Sequence, residues 1–148
     1  MASVSLRVYL DNCCFNRPFD DQSQVRVRLE TEAKLDVQRR IKDSELELAW
    51  SYVLDYENQA TPFEERREAI ARWKRAAAVD IEETPLLLRR AAEIAALSVP
   101  PKDALHLASA LVAGCAFFLT TDDRIIKKMR EYTGIAVMNP VQFVIEVQ

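Results

Sequence analysis

The chain has little glycine and no long apolar segment, and these two absences argue against fibrous and membrane proteins. Only two of its 148 residues are glycine, while 49% are hydrophobic and 29% charged. That composition is typical of a compact, helix-rich globular protein rather than a disordered or fibrous one. No apolar run approaches the roughly 20 residues of a membrane helix, and the first residues lack the pattern of a signal peptide. We therefore expect one domain over residues 1–148, cytoplasmic and without membrane contact.

Cysteine and histidine are also scarce, and basic residues do not outnumber acidic ones. Three cysteines cannot all pair within one chain, and the adjacent Cys13 and Cys14 are poorly placed to bond to each other. We interpret these two and Cys115 as small packed residues. A single histidine, His106, and the lack of CxxC or HExxH patterns argue against the usual zinc sites. With a net charge of −3, a nucleic-acid partner would need local basic patches or a bound metal ion.

The first part of the chain predicts strands that alternate with helices. Val and Tyr within residues 6–10 indicate a first strand, and apolar residues at helical spacing indicate a long helix over about 21–42. Residues 46–50 indicate a second strand. Ser51 is suited to cap a helix over about 52–59.

Prolines mark the starts of three later helices. These are expected to begin at Thr61-Pro62, running through Ile70, Trp73 and Ala77, at Thr84-Pro85, and at Pro100-Pro101. The intervening residues 79–81 suit either a small strand or a connector. The last predicted elements are a buried strand over 115–120, a short helix over 123–130, a strand over 135–138 and an apolar element over 141–147. This alternation predicts parallel crossovers in a layered α/β fold.

Four acidic residues fall where the predicted fold gathers side chains. Asp11 ends the first strand and Asp122 follows the buried one, and ligand sites of open α/β sheets form beyond the carboxyl ends of strands. Glu57 ends one predicted helix, and Asp103 lies in the first turn of another. Each alone suits a turn or a helix terminus. Together they would repel one another without a cation, which favours oxygen-preferring Mg²⁺ or Mn²⁺.

Four segments resemble, in order, the acidic segments of PIN-domain nucleases. They are YLD at 9–11, SYVLDYEN at 51–58, KDALHLASA at 102–110 and FLTTD at 118–122. The resemblance covers nearly the whole chain and is closest to the small free-standing members that include the VapC toxins. It implies a three-layer α/β/α sandwich with a central, mainly parallel sheet.

The resemblance also implies a function and a set of site residues. The expected activity is Mg²⁺- or Mn²⁺-dependent endonucleolytic cleavage of single-stranded or structured RNA, in a toxin that an antitoxin protein holds inactive. The matching positions for the catalytic and metal-binding carboxylates are Asp11, Glu57, Asp103 and Asp122. Thr120 would steady that site through its hydroxyl group.

Other polar residues near these segments are candidates for substrate contacts. Asn12 follows the first acid, Arg17 lies in the next loop, and His106 lies one helical turn after Asp103. For His106, pairing with a nearby carboxylate is favoured over general acid catalysis. The basic residues between 66 and 75 suit either a solvated helix face or phosphate contacts.

Rival interpretations remain open at this point. Asp55 and Asp123 neighbour two of the chosen acids, but the family spacing selects Glu57 and Asp122. The segment between the first two acids is longer than a minimal toxin needs. The alternative function is a catalytically inert PIN-like module that binds RNA or protein. If the apolar face predicted around Trp73 were exposed, it would indicate a homodimer or antitoxin contact, although a core position is favoured.

Overall fold

The computed structural model describes residues 6–148. In this range the strands are β1 (Leu6–Leu10), β2 (Leu46–Ser51), β3 (Ala77–Ile81), β4 (Phe117–Leu119) and β5 (Ala136–Met138). The helices are α1 (Asn12–Asn16), α2 (Val25–Lys42), α3 (Tyr52–Gln59), α4 (Glu64–Ala71), α5 (Pro85–Ala95), α6 (Pro101–Val112), α7 (Asp123–Lys128) and α8 (Pro140–Glu146). Short 3₁₀ turns cover Arg17–Phe19 and Arg72–Ala76.

The described strands form one parallel sheet in the order β3-β2-β1-β4-β5. Helices flank the sheet, which confirms the predicted three-layer α/β/α sandwich. The chain builds outward from β1 to β2 and β3, then returns to place β4 on the other side of β1. The order of the strands therefore reverses between β1 and β4. In open α/β sheets, ligands bind in the crevice at that reversal, beyond the carboxyl ends of the strands.

The core lies against both faces of the central strands. The last three residues of β1 are completely buried, as are Trp50, Phe118 and Leu119. The Tyr9 and Phe118 rings stack with their centroids 5.3 Å apart. A parallel strand covered on both faces explains why residues 117–119 read as a continuous apolar run.

Most predicted elements are present with shifted ends. The first two strands and the cap of α3 are confirmed, since the Ser51 hydroxyl accepts a hydrogen bond from the Leu54 N–H at 3.3 Å. The long helix begins at Val25 rather than near residue 21. Ahead of it, residues 12–19 form α1 and a 3₁₀ turn.

The helix predicted from Thr61-Pro62 through Ala77 is wrong at both ends. Helix α4 begins at Glu64 and ends at Ala71, and Ala77 is the first residue of β3. The physical reason is strand pairing: β3 lies parallel to β2, and the ladder hydrogen bonds replace those that a longer helix would make. Ile70 is buried as predicted, whereas Trp73 is only partly buried.

None of the helices formed by residues 6–148 combines the length and apolarity that a membrane crossing requires.

Candidate active site

Asp11 lies at the strand reversal, with both carboxylate oxygens engaged. Its backbone N–H donates to the Leu119 carbonyl at 2.9 Å and so ties the end of β1 to the end of β4. Oδ1 accepts from the Asn12 N–H at 2.8 Å, which makes Asp11 the N-cap of α1. Oδ2 accepts from the Thr120 hydroxyl, also at 2.8 Å. The carboxylate is 6% exposed, so these hydrogen bonds replace most of its hydration.

Thr120 connects the two strand ends that carry acids. While its hydroxyl donates to Asp11, the same oxygen accepts from the Asp122 N–H at 3.1 Å. Asp122 in turn caps α7 by accepting from the Arg124 N–H at 2.9 Å. The single hydroxyl thereby fixes the orientation of one acid and the backbone position of the other.

Glu57 is held by a buried chain of hydrogen bonds that runs from Ser51 through Tyr9 and His106. The Tyr9 hydroxyl lies 2.6 Å from the Ser51 Oγ and 2.6 Å from the His106 Nδ1. The His106 Nε2 hydrogen-bonds the Glu57 carboxylate. A proton on Nε2 satisfies every contact: Ser51 donates to Tyr9, Tyr9 to Nδ1, and Nε2 to Glu57. Because Ser51, Tyr9 and His106 are fully buried, solvent does not compete for these contacts.

The candidate acids converge, although not equally tightly. Potential ligand atoms of Asp11, Glu57 and His106 all lie within 4.8 Å of one another. Asp103 and Asp122 lie outside that group, but they belong to the same electrostatic cluster. Burial raises the pKa of Asp103, and the charges of Asp11, Asp122 and Glu57 raise it further, against a lowering by His106.

Glu57 shows the opposite balance. Burial works to raise its pKa, but the hydrogen bond from His106, with smaller contributions from Lys102 and Asn12, lowers it below the ordinary value. Glu57 is thus kept ionised, as a cation ligand must be.

The donor chemistry of the cluster fits a hard divalent cation. The side chains offer carboxylate oxygens, which Mg²⁺ and Mn²⁺ prefer. The Asn12 Oδ1 is a further oxygen, buried beside Asp11 and without a hydrogen-bond partner among the described residues. The His106 Nε2 is directed at Glu57 and is not a free ligand in this arrangement. Within this group Asp11 and Glu57 therefore offer oxygen ligands to a cation, and Asp103 and Asp122 stay predicted ligands.

Arg17 has intramolecular partners for all of its donor groups. Nε donates to Glu30 at 2.8 Å, one terminal nitrogen to Asp20 at 2.8 Å, and the other to the Thr121 hydroxyl at 3.2 Å. These contacts fasten the 3₁₀ turn to α2 and to the segment after β4. Contact between Arg17 and substrate stays a prediction, as do the substrate roles of Asn12 and His106.

The rival acids are occupied elsewhere. Asp55 accepts from the Trp50 indole N–H at 2.9 Å and pairs with Lys74 at 3.0 Å. Asp123 forms a two-point pair with Arg26, at 2.7 and 2.8 Å. Both acids therefore have local structural partners that Asp103 lacks among the described residues.

Tyr9, Ser51 and Cys13 adjoin the site, although the sequence did not single out the first two for it. The place of Tyr9 at the site could have been predicted, because residues two apart in a strand share a face and Asp11 follows Tyr9 by two positions. Cys13 was expected only to pack. Its Sγ lies 3.5 Å from the Asp11 Oδ2 and 3.5 Å from the Thr120 hydroxyl. Cys14 is buried as expected, and among the described residues the three cysteines are free thiols.

Comparison with known proteins gives a family match and several structural neighbours, two of which are described below. A model of the PIN domain matches residues 8–131. One neighbour comes from the crystal structure of VapBC2 from Rickettsia felis bound to a DNA fragment from their promoter: 12% identity, 90% of this chain and 98% of that chain covered, TM-score 0.57. The other comes from the structure of DNA-bound VapBC from Salmonella typhimurium: 16% identity, 91% and 98% covered, TM-score 0.55. No curated protein matches the sequence.

Proposed function

Because the chain belongs to the PIN domain family, we propose that it is a Mg²⁺- or Mn²⁺-dependent endoribonuclease. The observation that supports this proposal is the closeness of Asp11 and Glu57, whose carboxylates offer ligand atoms within 4.8 Å of each other and of His106. Burial raises the pKa of Asp103, and the like charges of Asp11, Asp122 and Glu57 raise it further. A protein that needed only a stable fold would gain by replacing them, whereas a divalent cation turns their repulsion into attraction.

The residues of such a site would have two roles, as cation ligands and as groups that orient those ligands. Asp11, Glu57, Asp103 and Asp122 would hold the cation. Thr120 fixes the direction of the first acid, and His106 that of the second. The chemistry that a bound cation supplies is Lewis acidity toward a water molecule and toward phosphate oxygens. In phosphodiester hydrolysis the water oxygen forms a bond to phosphorus, and the bond from phosphorus to one ribose oxygen breaks.

We further propose that the chain is the toxin of a toxin–antitoxin pair and that a protein antitoxin holds it inactive. Both structural neighbours come from VapBC assemblies, and the fold is shared over about nine-tenths of this chain. The test is co-expression with the product of the neighbouring reading frame. Co-purification together with loss of RNA cleavage is the expected result. Cleavage at an unchanged rate in the presence of that product would contradict it.

The nuclease proposal is tested with purified protein and labelled RNA. Cleavage should require added Mn²⁺ or Mg²⁺ and stop in EDTA. Asp11→Asn and Asp103→Asn should abolish it while leaving the far-ultraviolet circular dichroism unchanged. Asp55→Asn is a matched control, because it removes the same charge from an acid that binds Trp50 and Lys74. Full activity of both site variants would exclude the proposed chemistry.

The same assay separates the enzyme from a binding module. A wild-type protein that binds RNA, takes up no Mn²⁺ by calorimetry and cleaves nothing would be an inert PIN-like binder. Sedimentation of the same sample tests the predicted homodimer.

A further inference from the structure

A cavity of about 440 Å³ opens directly beside the candidate active site. Glu57 belongs to its wall and also to the group of candidate cation ligands. The other residues that matter here are Tyr56, Phe63, Arg66 and Lys102, all of which line the cavity. A molecule held in this cavity therefore lies next to the carboxylate cluster.

The cavity coincides with the exposed aromatic side chains of the protein. In residues 6–148 three aromatic side chains are exposed, namely Phe19, Tyr56 and Phe63. Tyr56 and Phe63 line the cavity and are 69% and 60% exposed. Phe19 lies under Arg66, which also lines it. Such a concentration of exposed rings at one place is typical of a binding surface.

Arg66 is fixed among these rings before any ligand arrives. Its guanidinium carbon lies 5.4 Å from the Phe19 ring centroid and 5.0 Å from that of Phe63. One terminal nitrogen donates to the Phe19 carbonyl at 2.9 Å, and the other lies 3.4 Å from the Asn16 Oδ1 and 3.7 Å from Asp20. The result is an ordered layer of alternating aromatic and cationic groups.

Lys102 adds a free positive charge on the side of the cavity that carries Glu57. It is exposed and forms no ion pair with a described residue. It directly precedes Asp103 in α6, so its ammonium group can neutralise a phosphate near the carboxylate cluster. In a chain of net charge −3, this is a local site suited to an anion.

We propose that this cavity binds unpaired nucleotides of the RNA substrate, with Tyr56 and Phe63 stacking on bases and Lys102 contacting a phosphate. The proposal rests on the nuclease function above. Aromatic side chains interleaved with cations are how proteins hold single strands without reading their sequence, since every base has a stacking face. Bases within a duplex are stacked on each other and leave no such face. Recognition at this subsite should therefore depend little on base identity.

The first test measures binding apart from cleavage. Fluorescence anisotropy of a labelled unpaired RNA is recorded in EDTA. Tyr56→Ala and Phe63→Ala should each weaken binding by about 5- to 160-fold, the range for losing one base–aromatic stack. Tyr56→Phe and Phe63→Tyr keep a ring and should bind like the wild type. Ile145→Ala is the control, because Ile145 is 66% exposed on α8 and lies outside the cavity.

Salt dependence separates the stacking residues from the cation. In a plot of log affinity against log salt concentration, Lys102→Ala should reduce the slope by about 0.7, the value for one phosphate contact of a single strand. The alanine variants of Tyr56 and Phe63 should leave that slope unchanged. Duplex RNA should compete poorly with the unpaired probe.

The outcomes distinguish this inference from the proposed function. If the wild type cleaves RNA with Mn²⁺ and the aromatic variants bind and cleave equally well, the nuclease stands and the subsite is wrong. If RNA binding depended on Tyr56 and Phe63 but the wild type cleaved no RNA, the subsite proposal would be supported and the nuclease proposal contradicted. No RNA binding by the wild type, or equal competition by duplex, would overturn the subsite. The subsite would also be overturned if the Tyr56 and Phe63 variants kept RNA binding and lost only antitoxin binding, because the cavity would then be a protein-binding site.

Discussion

Removing one buried hydroxyl tests whether His106 positions Glu57 or merely fills the core. Tyr9→Phe deletes the group that lies 2.6 Å from both the Ser51 Oγ and the His106 Nδ1 and leaves the ring in place. Without it, nothing on the Tyr9 side favours the tautomer that directs a proton from Nε2 to Glu57. We therefore expect the orientation of Glu57, and with it the affinity for a divalent cation, to be degraded.

The expected magnitudes follow from the buried contacts. Each buried polar group left without a partner costs about 1–3 kcal/mol of unfolding free energy, and two such groups are affected. Loss of a partner that orients a metal ligand typically lowers metal affinity about 10- to 100-fold. At a fixed Mn²⁺ concentration well above the Kd, the tenfold case removes about 1.4 kcal/mol of metal-induced stabilisation.

Two assays check these values on the same samples. Calorimetric titration with Mn²⁺ gives the affinity, and urea denaturation with and without Mn²⁺ gives both stability terms. Tyr132→Phe is the control, because the Tyr132 hydroxyl has no hydrogen-bond partner among the described residues and its loss should change neither quantity. A Tyr9→Phe protein that loses stability but binds Mn²⁺ with wild-type affinity would refute the positioning role of His106.

Three further predictions concern other buried polar groups. Burial lowers the pKa of Lys34 to about 8, so between about pH 8 and 10.5 the unfolded chain binds more protons and stability rises with pH. Lys34→Met removes this buried charge, so at pH 7 its unfolding free energy in urea denaturation should exceed that of the wild type. At pH 10.5 this difference should be smaller by on the order of 3 kcal/mol, and an unchanged difference would contradict the burial of that charge. Thr120→Val should weaken Mn²⁺ binding about 10- to 100-fold, because the Asp11 carboxylate loses the hydroxyl group that orients it. Thr120→Ser keeps a hydroxyl group and should bind Mn²⁺ with wild-type affinity in calorimetry. Glu30→Gln should cost unfolding free energy near the low end of about 3–5 kcal/mol, because Glu30 is buried and accepts from two partly exposed arginines; a loss below measurement error in urea would argue against this ion pair.

The fold class was predictable because the local patterns agree with the tertiary packing. Residues 6–10 and 46–51 are strands in sequence pattern and in structure, and Ser51 caps the next helix as its side chain suggests. The parallel arrangement followed from the intervening helices, since parallel strands need long crossovers. Strand β3 was undecided because residues 79–81 alone are too short to indicate a strand, and pairing with β2 makes residues 77–81 one.

The positions of the acids were predictable, but their partners were not. Asp11 and Asp122 could be selected because strand ends carry ligand sites, and Glu57 and Asp103 through the resemblance to PIN-domain segments. The hydrogen bond from Thr120 to Asp11, and those of the chain from Ser51 to Glu57, join residues 42 to 109 positions apart. No local pattern encodes such contacts, so Tyr9 and Ser51 emerged only from the structure.

The sequence by itself determined an α/β layered chain with four acids at the ends of its elements, because side-chain period, capping residues and breakers act over a few positions. Only the tertiary structure decided which polar groups hold those acids and where the exposed rings gather. It directs Arg17 toward Glu30, Asp20 and Thr121, and it brings Phe63 and Lys102, far apart in sequence, to one cavity beside Glu57. The physical reason is that these arrangements depend on how helices and strands pack across the sheet, and not on the order of residues within any one of them.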